Sequence, residues 1–306
     1  MKTFNAIGID VGGTKIAGAW ISFPDARIHS CQIIPTAPER GGTAVLGDVV
    51  RLATELAATA RTAQIGIDGI GVGLCELVSP SGTILSDNCV EWLDQPVAAR
   101  LTALAPTFLE ADVRAAARAE ALFGAGREYK LFLYVTVGTG IASSLVIQGE
   151  PFVGAHGATG TMASSPLSLT CDRCGHTNCY TLEELAAGPG LVQQFNRKRP
   201  RAAANGQEVL AAAAGGDLDA LSVVSTGAQA LESVLGLLIN VLDPEAVIIG
   251  GGLGLSEGLF WDSLITSIRR HIWSDIQRDL PILRAATHQN AGLLGAAATA
   301  WKKSIR

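Results

Sequence analysis

Aromatic side chains are scarce in this sequence: five Trp, three Tyr and eight Phe make up 5% of its 306 residues. Core volume must therefore come from aliphatic side chains and close backbone packing, and a hydrophobic fraction of 48% with 35 glycines supplies both. Charged residues are only 17% of the chain, which beside so large an apolar fraction excludes a disordered protein. A net charge of −5 and the lack of a long basic run give no electrostatic footprint for nucleic acid or an anionic membrane surface. The densest basic stretch, RKRPR at 197–201, reads as a solvated loop. No charged-then-apolar leader precedes Phe4 and no uninterrupted apolar run is long enough to span a bilayer, so a cytoplasmic location is expected. The pattern GxxxxGK(S/T) is missing, which rules out a P-loop enzyme.

What is present is an alternation of strands and helices, an α/β pattern. FNAIGIDV reads as a strand, turns through Gly12, Gly13 and Thr14, and leaves as the strand KIAGAWI; IHSCQII follows as a third. Residues 42–63 carry helical periodicity in Val45, Val49, Leu52 and Leu56, with Asp48, Arg51 and Glu55 on the other face. DGIGVGL is a buried strand, PVAARLTAL a short helix, and TFLEADV a strand that delivers Asp112 to its carboxyl end, before the helical run VRAAARAEALFG. A second run of strands opens near Tyr129 with LFLYVTVGTG and IASSLVIQGEPF. Residues 164–180 look irregular; helices then dominate, the longest from about Asp217 to Leu242 and stopped by Asp243–Pro244. AVIIGGG is a buried strand entering a glycine turn, and helices near 257–274 and 290–303 close the chain.

GIDVGGTKIAGAWI and YVTVGTGIASSLVI echo each other as strand, Gly/Thr turn, strand, which points to a duplicated fold. Phosphate needs backbone N–H donors at close range, and glycine turns expose them without a Cβ in the way. Gly12, Gly13 and Thr14 form one such turn, with Asp10 placed to hold the water shell of Mg²⁺ and Lys15 adding positive charge. Gly138, Thr139 and Gly140 form a second, and Gly250, Gly251 and Gly252 a third. Three glycine turns at strand ends have one economical explanation, a nucleotide phosphate site.

Of six cysteines, Cys31, Cys75 and Cys89 are isolated and read as small apolar residues or reduced thiols. Cys171, Cys174 and Cys179 cluster, and that spacing favours a metal over a disulfide.

These motifs resemble the ROK family of sugar kinases and regulators, within the actin-like ATPase (ribonuclease H-like) superfamily. The resemblance runs from Ile7 to about Ala298 and rests on GIDVGGTK, EADVRAAARAE, VTVGTGIA, the cysteine cluster, LEELAAGPG and LDPEAVIIGGG. It implies two α/β lobes around a cleft: residues 1–113 with about 288–306, and residues 114–287. It implies ATP with Mg²⁺, a small polyol substrate and a homodimer. Asp112 matches the family's catalytic base, which takes a proton from the attacking hydroxymethyl group, and Asn88 and Glu183 match sugar contacts. LDPEAVIIGGG resembles the adenosine-side motif. Zn²⁺ is implied on Cys171, Cys174 and Cys179, with His176 or His156 as the fourth ligand, since three thiolates leave a tetrahedral site one short.

The sequence also departs from the family. The asparagine preceding the base is Ala111, and the family's G-E-x-G-H reads Gly160–Thr161–Met162–Ala163–Ser164, so a sugar-binding glutamate and histidine are missing. Glucose is therefore not the expected acceptor; a substituted hexose, an amino sugar or a cyclitol fits better. A non-catalytic sugar-binding sensor or regulator is the alternative, disfavoured because Asp10, Asp112 and all three glycine turns are retained.

Overall fold

The structure, a computed structural model, describes residues 3–170 and 174–305. The chain begins with β1 (Phe4–Val11), β2 (Lys15–Phe23) and β3 (Arg27–Pro35), then α1 (Gly42–Thr62), β4 (Gly69–Leu74), α2 (Val97–Thr102), β5 (Thr107–Ala111) and α3 (Asp112–Phe123). It continues through β6 (Leu131–Val137), β7 (Ile141–Ile147), β8 (Glu150–Pro151), β9 (Pro166–Thr170) and β10 (Thr177–Thr181). Four helices follow, α4 (Leu182–Ala186), α5 (Gly188–Lys198), α6 (Gly206–Ala214) and α7 (Leu218–Leu242). The chain ends with β11 (Ala246–Gly250), α8 (Leu259–Ile268), α9 (Asp275–Arg278), β12 (Ile282–Arg284) and α10 (Ala291–Ser304).

Two five-stranded sheets carry the fold. One is ordered β3-β2-β1-β4-β5 and the other β12-β11-β6-β7-β8. Read from opposite ends these are the same plan, three consecutive strands followed by two that join alongside the first. In the first sheet β1 pairs antiparallel with β2 and parallel with β4; in the second β11 runs parallel to both β6 and β12. The echo between the two hairpins in the sequence is thus matched by a repeated topology.

The chain divides into two compact units, one of residues 1–128, 144–159 and 289–306, the other of 129–143 and 160–288. In the first unit α1 buries Val45, Val49, Leu52 and Leu56 as its periodicity requires. Arg51 lies 3.0 Å from Asp48 and 3.3 Å from Glu55 on its solvent face. On the other side of this sheet, α10 packs through small residues. Its backbone comes so close that a Cβ on Gly8 would lie 2.3 Å from the Leu293 carbonyl oxygen, and one on Gly71 1.7 Å from that of Ala296. The alanines and glycines that replace aromatic bulk in the composition act here, letting a helix lie almost on the strands.

In the second unit, Asp217 caps α7 by accepting N–H bonds from Asp219 and Ala220. The helix ends at Asp243, in left-handed conformation just before Pro244. By length and composition α7 is apolar enough to cross a bilayer, yet 61% of its most apolar window is buried, with Leu231, Leu235 and Ile239 at the centre of this unit's core. Residues 164–180, expected to be irregular, contain the two-stranded hairpin β9–β10. Its strands are mostly exposed, so no alternation of apolar and polar residues marks them in the sequence.

Candidate active site

The sheet of the first unit ends in a pair of carboxylates. Asp10 on β1 is in register with Gly73 on β4, and Ala111, the last residue of β5, with Leu74. Asp112 follows at the first turn of α3, so both aspartates sit at carboxyl ends of strands that flank β4. Gly73 leaves the space between them open: a Cβ there would lie 3.6 Å from an Asp10 carboxylate oxygen and 3.7 Å from the Asp112 Cα.

Both groups are half-buried, and the environment acts on their protons. Burial pushes the Asp10 carboxyl up to about 6, against the opposing pull of the Lys15 charge. Burial raises Asp112 further, to about 7, with the Asp10 charge adding to it and the N–H of Val113 working the other way. That N–H donates to Asp112 Oδ1 at 2.6 Å. Asp112 heads the helix without capping it in the usual way; the cap position is Ala111. Asp112 is thereby a carboxylate poised to take a proton near neutrality.

The glycine turn between β1 and β2 is closed by Gly12 N–H donating to the Lys15 carbonyl at 3.0 Å. Thr36 Oγ1 holds the Gly12 carbonyl at 2.6 Å, and the Thr36 N–H donates to the Thr14 carbonyl. With those carbonyls and the Gly12 N–H occupied, the turn has left the N–H groups of Gly13 and Thr14 and the exposed side chains of Thr14 and Lys15. Among the described residues no hydrogen-bond donor pairs with the Asp10 carboxylate, which leaves a half-buried anion beside this turn suited to a divalent cation and its water.

In the second unit the other two glycine turns meet. Gly138 N–H donates to the Gly140 carbonyl at 2.9 Å, and the Gly138 carbonyl accepts the N–H of Gly188, the first residue of α5, at 2.8 Å. Gly251 adopts φ +83, where a Cβ would also lie 2.4 Å from the Val137 carbonyl oxygen, so only glycine serves. The Val137 carbonyl then accepts the N–H groups of Leu253 and Gly254. Glu183 is placed here: its Oε2 accepts the Ile141 N–H at 2.9 Å, bracing the Gly138–Thr139–Gly140 turn from the α4 side. Thr139, Thr181, Glu183, Glu184, Pro189 and Gln193 line an open pocket beside this turn.

Asn88 is exposed in the loop after β4, in the same unit as Asp112. That loop is tied down by Glu76, a buried carboxylate that no sequence motif marks. Glu76 Oε2 accepts from Ser86 Oγ at 2.5 Å and Asn88 N–H at 2.9 Å, while Oε1 accepts from the N–H groups of Cys89 and Val90 at 2.7 and 3.0 Å. A Glu76→Gln substitution turns one oxygen into a donor facing donors. We expect it to lower unfolding free energy by ~1–3 kcal/mol in chemical denaturation and to open residues 85–90 to protease.

Arg114, likewise outside any motif, is 1% exposed and donates to Glu110 Oε1 at 2.6 Å, the Gly157 carbonyl at 2.8 Å and the Val78 carbonyl at 2.5 Å. It binds two loops of the first unit to the helix that begins with Asp112. The i,i+4 spacing of Glu110 and Arg114 is its one sequence signal.

Of the expected zinc ligands, Cys171 lies outside the described residues. Cys174 and His176 are exposed just before β10, and Cys179, exposed on β10, has Ser168 Oγ 3.9 Å from its sulfur. Among the described residues the group of three metal-type ligands that gathers within 4.8 Å is a different one, Cys75, Glu76 and Cys89. Thr161 and Ser164 are exposed; Ser164 Oγ donates to the Thr161 carbonyl at 3.4 Å.

Known proteins share this arrangement along the length of the chain. The model of the ROK family matches residues 6–303. An N-acetylmannosamine kinase of Escherichia coli O1:K1 / APEC is 30% identical over 299 residues, covering 95% of this chain and 96% of that one. A glucokinase of Streptomyces coelicolor is 28% identical over 319 residues, with 95% and 96% covered. The crystal structure of a ROK hexokinase from Thermus thermophilus, 31% identical, superimposes with a TM-score of 0.80 over 99% of both chains. With its two repeated sheets and its motifs matched along nearly the whole length, this chain belongs to the ROK family, on the actin-like ATPase fold.

Proposed function

We propose that this protein is an ATP-dependent kinase that transfers the γ-phosphoryl group to a hydroxyl, of hydroxymethyl type, on a hexose derivative, amino sugar or cyclitol. The observation that carries the reading is Asp112: a carboxylate raised to about 7, at a strand end beside Asp10 and on the same sheet as a glycine turn. Phosphoryl transfer asks a protein mainly to position and to neutralise charge, with one base at the attacking oxygen. Asp112 takes the hydroxyl proton on its carboxylate. In the first unit the N–H groups of Gly13 and Thr14 hold phosphate oxygens and Lys15 adds charge; in the second the N–H groups of Thr139 and Gly140 do the same, and the Gly250–Gly251–Gly252 turn serves the nucleoside side. Asp10, with its unpaired carboxylate, would hold Mg²⁺ through water; when bound, that ion neutralises charge on the phosphates. Asn88 and Glu183 orient acceptor hydroxyls, Glu183 through the oxygen that does not hold Ile141.

The relatives include a kinase named for glucose and one named for an N-acetylated amino sugar. Thr161 and Ser164 stand where a glutamate and a histidine are usual in the family, and losing groups that hydrogen-bond hydroxyls weakens recognition of an unsubstituted sugar. In a panel of hexoses, amino sugars, N-acetylated amino sugars and cyclitols assayed by ATP consumption, we expect a substituted acceptor to exceed glucose in kcat/KM by at least about tenfold. Glucose turning over best overturns the acceptor assignment. Nucleotide binding with no transfer to any polyol overturns the kinase reading and favours a sensor.

A further inference from the structure

Cys75 and Cys89 stand fourteen residues apart and belong to different segments, the end of β4 and the loop that carries Asn88. The fold nevertheless brings their sulfurs and a Glu76 carboxylate oxygen within 4.8 Å of one another. Both cysteines are half-buried, at the edge of the first unit's hydrophobic core. The backbone of Cys89 is fixed by its N–H bond to Glu76 Oε1 at 2.7 Å. Its sulfur occupies the space above the phosphate-type turn, where a Cβ on Gly13 would lie 2.8 Å away. Cys31, Cys174 and Cys179, by contrast, are exposed.

We propose that Cys75 and Cys89 form a reversible dithiol–disulfide modification site, oxidised by peroxide. In the first step the Cys89 thiolate attacks one peroxide oxygen, the O–O bond breaks, and the leaving hydroxide takes up a proton as water, leaving Cys89 as a sulfenic acid. In the second the Cys75 sulfur attacks the Cys89 sulfur. The S–OH bond breaks, its hydroxide leaves as water with the Cys75 proton, and a disulfide remains; two thiols have lost two electrons to one peroxide. The order of roles follows from the environment. A hydrogen bond from Cys75 holds the Cys89 thiol below the usual thiol range, against burial and the Glu76 charge. Cys75 is pushed well above the usual thiol range by that same bond, by burial, and by the negative charges of Cys89, Asp112 and Glu76. Cys89 is therefore the first to react, and Cys75 the resolving partner.

The bond would tie the end of β4 to the Asn88 loop and draw the Cys89 sulfur away from its seat above Gly13. On the kinase reading of this site, oxidation then lowers turnover by moving Asn88 and the first glycine turn together.

The test treats the full-length protein with hydrogen peroxide and maps peptides without reduction. We expect a cross-link between the peptides holding Cys75 and Cys89, a loss of two hydrogens from the intact mass, and reversal by dithiothreitol. We also expect a severalfold fall in kinase activity that dithiothreitol restores. Cys75→Ser, unable to resolve the sulfenic acid, should accumulate further-oxidised Cys89 instead; the wild-type peptide map stands alone if that variant folds poorly. Peptides in which Cys75 and Cys89 remain free thiols while Cys31, Cys174 and Cys179 are oxidised overturn the proposal. So does wild-type Cys89 oxidised to sulfinic acid beside an intact Cys75. The cross-link is read from mass, so a protein that links but phosphorylates no polyol fails the kinase reading and not this one.

Discussion

Asp112→Asn should lower kcat by about 10²- to 10⁴-fold, the usual worth of a positioned general base, while leaving nucleotide affinity nearly unchanged. Asparagine has the same shape and still accepts the Val113 N–H through its carbonyl oxygen, so the start of α3 is preserved. What is lost, on the proposed mechanism, is the group that takes the acceptor's proton. In the wild-type protein the base must be ionised, so activity should rise with pH through about 7, the value to which burial and the Asp10 charge lift this carboxyl.

The same substitution should move stability the other way. The folded protein holds the Asp112 proton more tightly than the unfolded chain, whose carboxyl titrates near 3.8. Native stability therefore falls as pH rises from that value and is lowest, in respect of this group, above about 7. A neutral amide at this position carries no such cost. We expect the variant to melt a few degrees higher than wild type in mildly alkaline buffer, and the difference to vanish in acid below the unfolded carboxyl's range. Loss of activity together with a gain in stability separates a catalytic carboxylate from a structural one. Equal activity, or a loss of stability at alkaline pH, would falsify the assignment of Asp112 as base.

Much of this is readable from the amino-acid sequence because it depends on local pattern. The β1 and β2 hairpin, the α1 face through Val45, Val49, Leu52 and Leu56, the α7 stop at Asp243 and Pro244, and the carboxyl-end position of Asp112 all follow from periodicity, turn chemistry or a helix breaker. The features that are not legible depend on contacts between residues distant in the chain. Glu76 follows β4 like any acidic loop residue, and only the folded loop shows that four donors converge on it. Cys75 and Cys89 look isolated until the loop folds back. The exposed β9–β10 hairpin lacks a buried face and so lacks a pattern.

Gly292 and Gly295 lie three residues apart on α10, and alanine at each should fail in opposite ways. A Cβ on Gly292 would sit 2.2 Å from Asp10 Oδ2 and 2.3 Å from its Cγ, so what must yield is a side chain. The carboxylate can rotate aside at little cost in stability, but it then leaves the position from which it faces the first glycine turn. Gly292→Ala should cut kcat/KM by ~10²-fold or more, as a displacement of about 1 Å in a positioned group does, with a melting temperature close to wild type. A Cβ on Gly295 would sit 1.7 Å from the Ala115 carbonyl oxygen and 2.2 Å from its carbon, so what must yield is the backbone of α3. Gly295→Ala should cost ~2–4 kcal/mol of unfolding free energy and lose activity mainly through unfolding. Melting curves and kinetics measured on both variants decide the matter. If Gly292→Ala melts early with normal kcat in its folded fraction, the gap beside Asp10 is only a packing seam. If it stays folded and inactive, α10 reaches the sheet so closely because the space left at Gly292 is where the Asp10 carboxylate has to be.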